Sequence, residues 1–495
     1  MAANHSVFPL LWLLVFASIP AQAEVLGLDA YIGQVESANH GMQASHLAAA
    51  GLRQKNAEAG AAYIPVFTAD MTVSDDRSGG SVESAIQANA IQSAVWNIGL
   101  SKRFPTGTRI HAGYANTAMT LDLASPYPIN AQTWSSHFTA HDIKPYLRLE
   151  QSLLRDGFGQ TTAAGLRRIE YAIQSAEYLE AANRQRIACN ARAAYARLAL
   201  CREIVRFRRE GLARSAEILR WSESKVRLDL ADRGDRLQAL ARHRQSELDL
   251  QLALDEETDA RREFNHMRDW DAGAVAGTLQ GLQEILTDSG EELRRSGDRA
   301  DVLSARAGLA GAESAAAEAQ GRLGPELTAF GSVSWHGLDT EYPAAFRQVA
   351  NREKPTYAAG AVLVLPLDPW TAKAVCAGYA QERRAAEARV RQAERDAAKD
   401  WQALSDQWAQ AKARLAAARD VREIQERRVE HLRREFTRGR TTTCQLLSAE
   451  NDRDAATLNV HRAVFEALLI RFQADLHNTP AVARGNHDTR REAKP

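Results

Sequence analysis

Two stretches of this chain run for more than sixty residues each with a helical apolar period and no proline, from about Gln160 to Arg227 and from about 372 to 435. In the first, Ile169, Ile173, Ala176, Ile187, Ala191, Ala194, Leu198 and Cys201 mark the predicted buried stripe. At 1.5 Å per residue such a helix is on the order of 100 Å long. No compact globule uses a rod of that length. In the second, Val390, Ala393, Ala397, Trp401, Leu404, Trp408, Ala411, Leu415 and Ala418 recur in steps of three and four, the coiled-coil pattern.

Each rod is broken once and then resumes. The breaks are "KVRLDLADRGDRLQALARHR" (225–244) and "RREFTRGRTTTCQLLSAEND" (433–452). In the second, Gly439 permits a turn with positive φ and the threonines after it can cap a new helix. In the first, Asp229 takes the place of Gly439 and Asp232 takes the place of the cap. Both breaks therefore read as the tips of long antiparallel helical hairpins.

The rest of the chain is also duplicated. A helical pattern over 26–61 gives way to period two, with Tyr63, Phe67, Ala69, Met71 and Val73 on one face. "DDRSGGSVES" reads as a loop, and "AVWNIGLSKRFPTGTRIHAGYANTAM" reads as a hairpin around "PTGT". A polar loop of about twenty residues is then expected before the strand "KPYLRLEQSLL" and the turn "RDGFG". After a return helix over 236–268 and another over 298–322, "RLGPELTAFGSVSWHG" and "TYAAGAVLVLPLDPW" supply strands in the second copy. The expected division is a signal segment 1–23, a first repeat 24–296, a second repeat 297–478 and a disordered tail 479–495.

Composition narrows the function. Sixty-two basic and sixty-two acidic residues leave no net charge, and the signs are interspersed as on solvated helix faces. A nucleic-acid partner is not expected. At the N-terminus the apolar run Val7–Ile19 precedes Ala21-Gln22-Ala23, the layout of an export signal cleaved before Glu24, although no Lys or Arg precedes the run. The run is too short to cross a bilayer as a helix, and no other segment approaches that length. Any integral contact with a membrane must be made by strands. Cys189, Cys201, Cys376 and Cys444 lack metal-type spacing and read as buried small side chains, with pairings other than Cys189 to Cys201 left open. No cofactor is expected. His137 and His141 fall in the expected loop and are not read as ligands, and nothing resembles a nucleophile with a positioned base, so no enzyme is expected.

A few strands at one end of a long rod cannot close a sheet, and two copies in one chain still leave edges. Open edges are tolerated neither in water nor in lipid. Several chains pooling their strands into one barrel would remove them, and the hairpins would then line up as a tube.

The order of "AAYIPVFTADMTVSD", "LRLEQSLLRDGFG", "VLVLPLDP" and the tips "LADRGDRLQALA" and "RGRTTTCQLLSAE" resembles the TolC-type outer-membrane efflux family over about residues 26–478. The resemblance implies a mainly α fold with β. About four strands per chain would join a homotrimeric twelve-stranded barrel in outer-membrane lipid, continued by a periplasmic α-helical coiled-coil barrel. It also implies a passive exit duct of a tripartite efflux pump or a type I secretion system. Its partners would be a periplasmic adaptor and an inner-membrane pump of the RND or ABC type. The adaptor-docking tips would be Asp229, Leu230 and Ala231 in the first copy and Gly439, Arg440 and Thr441 in the second. A periplasmic aperture would involve Asp235, Gln445 and Ser448. Where some members carry aspartates after the second tip, this chain has Gln445 and Ser448, which removes that charge; Asp235 could instead tie a closed state to a neighbouring helix. The "FPTGT" hairpin departs from the simplest family pattern, and it either joins the barrel or folds beside it. The rival reading is a periplasmic coiled-coil adaptor or structural protein without a pore, which would leave the apolar strand faces around Tyr63, Leu327 and Leu363 without a use.

Overall fold

A computed structural model of the protein describes residues 25–77, 88–130, 133–229, 232–271, 273–275, 277–288, 290 and 292–480. The expected signal segment, most of the loop "DDRSGGSVES" and the expected tail beyond Pro480 lie outside these residues. The elements in chain order are α1 (Leu28–Ala38), α2 (His40–Lys55), β1 (Val66–Asp76), β2 (Ala88–Arg103), β3 (Thr108–Asn130), β4 (Thr133–Ser152), α3 (Gln160–Arg227), α4 (Arg233–Met267), α5 (Leu282–Asp288), α6 (Ala300–Arg322), β5 (Glu326–Trp335), β6 (Gly337–Asp339), α7 (Tyr342–Ala350), β7 (Pro355–Val364), α8 (Pro369–Thr437) and α9 (Thr443–Ala474). Both long helices are therefore continuous where the proline-free apolar period predicts them. No described helix is long and apolar enough to cross a membrane.

The chain folds into two compact units. The first holds residues up to Ala44, Asn183–Arg295 and Trp401–His477, and the second holds Ser45–Ala182, Ser296–Asp400 and the residues from Asn478 on. Each unit takes segments from both copies of the duplication.

The first unit is a helical assembly packed on small side chains. Ala191, Ala194 and Leu198 of the predicted stripe are buried, as are Leu404, Trp408, Ala411 and Leu415 on α8. Alanine lets the helix axes approach, and three aromatic rings pack together in the core. Tyr31 stacks on Phe264 at a centroid distance of 4.1 Å, and Tyr195 lies 5.5 Å from Tyr31. The Tyr31 hydroxyl donates to the Phe264 carbonyl oxygen at 2.9 Å, so its polar end is satisfied inside the core. Cys189 and Cys201 are buried, Cys376 is half-buried and Cys444 is exposed; all four are free thiols.

The second unit carries an antiparallel sheet in the order β1-β2-β3-β4-β5-β7, with β6 pairing on β4. Helices α3 and α6 pack close by through a Ser175–Ser304 hydroxyl contact of 2.9 Å and an Arg168–Glu318 ion pair of 2.7 Å. One expectation is corrected here. Among the described residues the sheet has seven strands, six of them on one hydrogen-bonded path. The predicted hairpin lies between β1 and β4 as β2 and β3, bonded on both sides. The polar loop of about twenty residues is strand as well, because β3 continues to Asn130 and β4 begins at Thr133. His137 and His141 consequently lie in β4. His137 is 3.3 Å from Asp122, and His141 meets the Tyr342 ring edge-on at 5.7 Å.

Phe264→Ala should empty the centre of the first unit's aromatic cluster. Removing a fully buried phenylalanine costs about 3–5 kcal/mol, so the helical far-UV signal should melt at a clearly lower temperature, while Phe264→Leu should recover part of the loss.

Candidate functional site: the belted sheet and the hairpin tips

Strand pairing settles which residues share a face of the sheet. Phe67, Met71 and Val73 on β1 stand opposite Leu100, Trp96 and Ala94 on β2. Leu100 and Ile98 stand opposite Ala112 and Tyr114 on β3, and Ala112 stands opposite Leu147 on β4. The row continues through Val333 on β5 to Tyr357 on β7. One face therefore carries an uninterrupted apolar belt across six strands. Much of it is bare: Phe67 is 66% exposed, Val73 70% and Tyr357 77%. An apolar patch of this extent is characteristic of a surface that meets lipid or a partner. On β3 the belt runs from Ile110 through Ala112 to Tyr114, roughly 14 Å of strand at about 3.4 Å per residue, and the buried Asn116 follows on the same face.

The opposite face is largely polar on β1 to β5, while β7 carries Ala358, Gly360, Val362 and Val364 there. Asp70 accepts a hydrogen bond from Asn97 at 2.8 Å, and Ser74 meets Ser93 at 2.8 Å. Glu150 collects Arg148 at 2.8 Å, Arg109 at 3.5 Å and His111 at 3.7 Å. The Arg148 guanidinium also lies 4.3 Å from the Phe330 ring centroid. This face suits water, and the belt does not.

The alternation reverses beyond the belt. Met119, Leu121, Leu123 and Phe138 cluster with Ile91 on the formerly polar side, while Thr120 pairs with Thr139 at 2.9 Å on the formerly apolar side. The sheet thus changes the polarity of its two faces along its length. Helix α7 packs on β4 at that boundary: Ile143 is fully buried, and the Tyr342 hydroxyl pairs with that of Tyr114 at 3.2 Å.

The hairpin tips lie in the first unit. Gly439 has φ 75°, its N–H donates to the Phe436 carbonyl at 3.1 Å, and the Arg440 N–H reaches Glu435 at 2.9 Å. These two bonds form the standard left-handed closure of a helix C-terminus. Asp229 ends α3 the same way, with φ 54° and its N–H on Val226 at 3.2 Å. Asp232 caps α4, and Thr442 caps α9 in a reciprocal box with Gln445. The predicted breaks, the equivalence of Asp229 with Gly439, and both caps are thus present.

The expected docking residues Asp229, Gly439 and Arg440 are exposed and Thr441 is half-buried; Leu230 and Ala231 lie outside the described residues. Of the expected aperture residues, Gln445 and Ser448 are exposed, and the Gln445 side chain meets the Thr441 hydroxyl at 2.5 Å. Asp235 is half-buried, and its electrostatic neighbour is Lys225 on the other arm of its own hairpin. No hydrogen bond or ion pair among the described residues links Asp235 to Gln445 or Ser448. Lys225 sits 3.8 Å from the Trp221 ring and 4.6 Å from Phe436. Burial pulls its pKa below the usual lysine range, and Asp235 pushes the other way.

A buried ion network behind the tips is absent from the sequence reading. Glu450 and Asp454 on α9 are 4% and 6% exposed. Glu450 binds Arg433 of α8 at 2.7 Å and Arg453 at 2.6 Å. Asp454 binds Arg453 at 2.7 Å, Arg242 of α4 at 3.0 Å and Arg214 of α3 at 3.3 Å. Two carboxylates thereby clamp four helices. Burial first, then repulsion from Arg453, lowers the Arg214 pKa. In the sequence the two acids, four residues apart beside an arginine, look like a solvated helix face. Only the neighbouring helices make them interior.

No protein-family model and no curated protein matches the sequence. Solved structures do match. The outer-membrane channel MtrE of Neisseria gonorrhoeae aligns with a TM-score of 0.62 at 15% identity, over 91% of this chain and 89% of that one. The outer-membrane protein VceC of Vibrio cholerae aligns at 0.59 and 15% identity, over 91% and 94%. The Campylobacter jejuni CmeC channel aligns at 0.58 and 13%, over 91% and 85%. The chain has the fold of these outer-membrane channels. At these identities the likeness extends to the fold and leaves individual residues to be argued one by one.

Asp454→Asn should unbalance the clamp, because a buried pair broken from one side costs about 3–5 kcal/mol. Hydrogen-exchange protection over residues 443–456 should fall by about a hundredfold or more, with little change in the sheet.

Proposed function

We propose that the protein is a passive exit duct of the outer membrane, reaching into the periplasm, for a tripartite efflux pump or a type I secretion system. The observation that carries this is the bare apolar belt backed by a polar face. A water-soluble protein has no use for such a belt, and a barrel wall in lipid requires it. The same belt weighs against the rival reading of a pore-free periplasmic adaptor or structural protein. The solved channels that share the fold support the reading.

In this reading three copies close the sheet, and their helical hairpins line a tube. The tips carrying Asp229 and Gly439–Thr441 dock a periplasmic adaptor, which connects the duct to an inner-membrane pump of the RND or ABC class. The aperture lies beside Asp235, Gln445 and Ser448, with the Glu450 and Asp454 clamp setting how firmly the tips hold together. Asp235 is near enough to Lys225 on the other arm of its hairpin to push that lysine's pKa up, so replacing it with Lys would set two like charges there and should loosen the tip and raise single-channel conductance.

The test is fractionation followed by reconstitution. The protein should require detergent, elute as a trimer and conduct ions in planar bilayers. Gly439→Pro should still insert as a trimer but lose export, because proline excludes the positive φ and removes the N–H that closes α8. A soluble periplasmic monomer without conductance would overturn the reading, and normal export by Gly439→Pro would remove the docking role from the tip.

A further inference from the structure

We infer that each chain contributes six strands to one wall, so that three copies close an eighteen-stranded barrel in which β7 of one copy pairs antiparallel with β1 of the next. This rests on the trimeric duct proposed above and deepens it by setting the width of the exit and the residues that seal it.

The inserted hairpin is part of the wall. β2 pairs with β1 over the whole length of β1, from Val66 opposite Ser101 to Asp76 opposite Ile91. β3 pairs with β4 without a break from Thr108 opposite Gln151 to Asp122 opposite His137. Its apolar side chains continue the belt in the same parity as their neighbours. Its turn is also locked to the start of α3. Arg103 pairs with Asp156, and Asp156 accepts from the Thr162 N–H and hydroxyl, both at 2.8 Å. Gly159, at φ 80°, lets the backbone lie directly against the Pro105 carbonyl, where a Cβ would collide. A hairpin folding beside the barrel would have none of these constraints.

The stagger of the six strands is that of a closed wall. The line of direct partners from Val66 passes through Ser101, His111, Arg148 and Ser332 to Ala358. Val66 is the first residue of β1 at the end joined to the helices. Measured from the same end of each strand, the later partners lie two, three, four, six and six residues in, at Arg103, Thr108, Ser152, Glu326 and Val364 respectively. A drift of six residues across five strand steps is about 20 Å along the strands for about 24 Å across them, a tilt of about 40°. Barrels close at about 35–45°.

Both edges are prepared for a copy of this chain. Every residue of β1 and β7 is exposed, in contrast to the half-buried strands between them. Pairing must keep the belt on one side, so the stagger accumulated per chain is even. Carried one step further, the drift becomes six or eight, which sets Ala358 opposite Thr72 or Ser74 of the adjacent copy. Barrel diameter grows about linearly with strand number, so this wall is roughly 1.5 times as wide as a twelve-stranded one. Its polar face, with Arg109, Arg148 and Glu150, would line the opening.

The experiment uses the full chain in outer membranes, with the four native cysteines replaced by alanine. Ala358→Cys is combined with Thr72→Cys, with Ser74→Cys, or with the off-parity Val73→Cys, and treated with a short bifunctional maleimide. One of the first two pairs should convert most monomer into covalent dimer and trimer on denaturing gels, and the Val73 pair should not. Asp70→Cys with Asn97→Cys should link within one chain, reporting the hairpin inside the wall. If the native assembly is trimeric but neither in-parity pair links copies, or if Asp70 and Asn97 fail to link, the inference is overturned while the duct stands. A monomeric native assembly would overturn both. Strand counting in end-on electron-microscopic images of the unmodified trimer gives an independent answer: eighteen supports the inference and twelve overturns it.

Discussion

The backbone hydrogen bonds that β1 and β7 leave open constrain everything else in this protein. Among the described residues each strand is bonded along only one edge, and their side chains are bare on both faces. In hydrocarbon an unpaired peptide group costs several kcal/mol, and in water an open edge invites aggregation. The belt running from Phe67 to Leu363 adds a second demand, because it is apolar where a soluble domain would be polar. In the proposed duct, sibling chains and lipid together would satisfy both. The remaining architecture follows from holding such a sheet at a fixed tilt: a locked turn at Arg103 and Asp156, and helices that begin immediately after the strands.

At the tips the emphasis moves from area to charge. The apolar cluster there is small, with Phe436, Leu446 and Leu447 packed around Ile218 and Ala239. Glu450 and Asp454 supply what that cluster lacks, joining four helices through arginines. Such a network contributes less net stability than an apolar core of equal volume, but it is sensitive to the loss of any one member. The closures at Asp229 and Gly439 complete the design, since each ends a long helix in a defined turn.

Much of this was legible in the residues. The proline-free period placed α3 to the residue and α8 within three residues at each end. Gly439 with its threonines, and Asp229 with Asp232, marked both tips and both caps. The extension of β3 and β4 was not legible, because Thr120, Asp122, His137 and Thr139 occupy the face that is apolar lower down. A strand whose polarity inverts midway reads as a polar loop. The hairpin around "FPTGT" stood out in the residues as a departure from the simplest family pattern, but its pairing on both sides depends on strands that are distant in the chain. The clamp was missed because burial of Glu450 and Asp454 depends on helices that are distant in the chain. The docking and aperture assignments come from the resemblance alone and were not legible in the residues themselves.

Lipid contact along the strands tests the central claim most directly. Single cysteines at Met71, Ile98, Leu147 and Leu363, and at Asp70, Asn97, Arg148 and Ala358, would each carry a small fluorophore in vesicles whose acyl chains are brominated. The account predicts strong quenching at the first four positions and little at the second four, on each of the four strands probed. Equal quenching on both faces, or none on either, would contradict it.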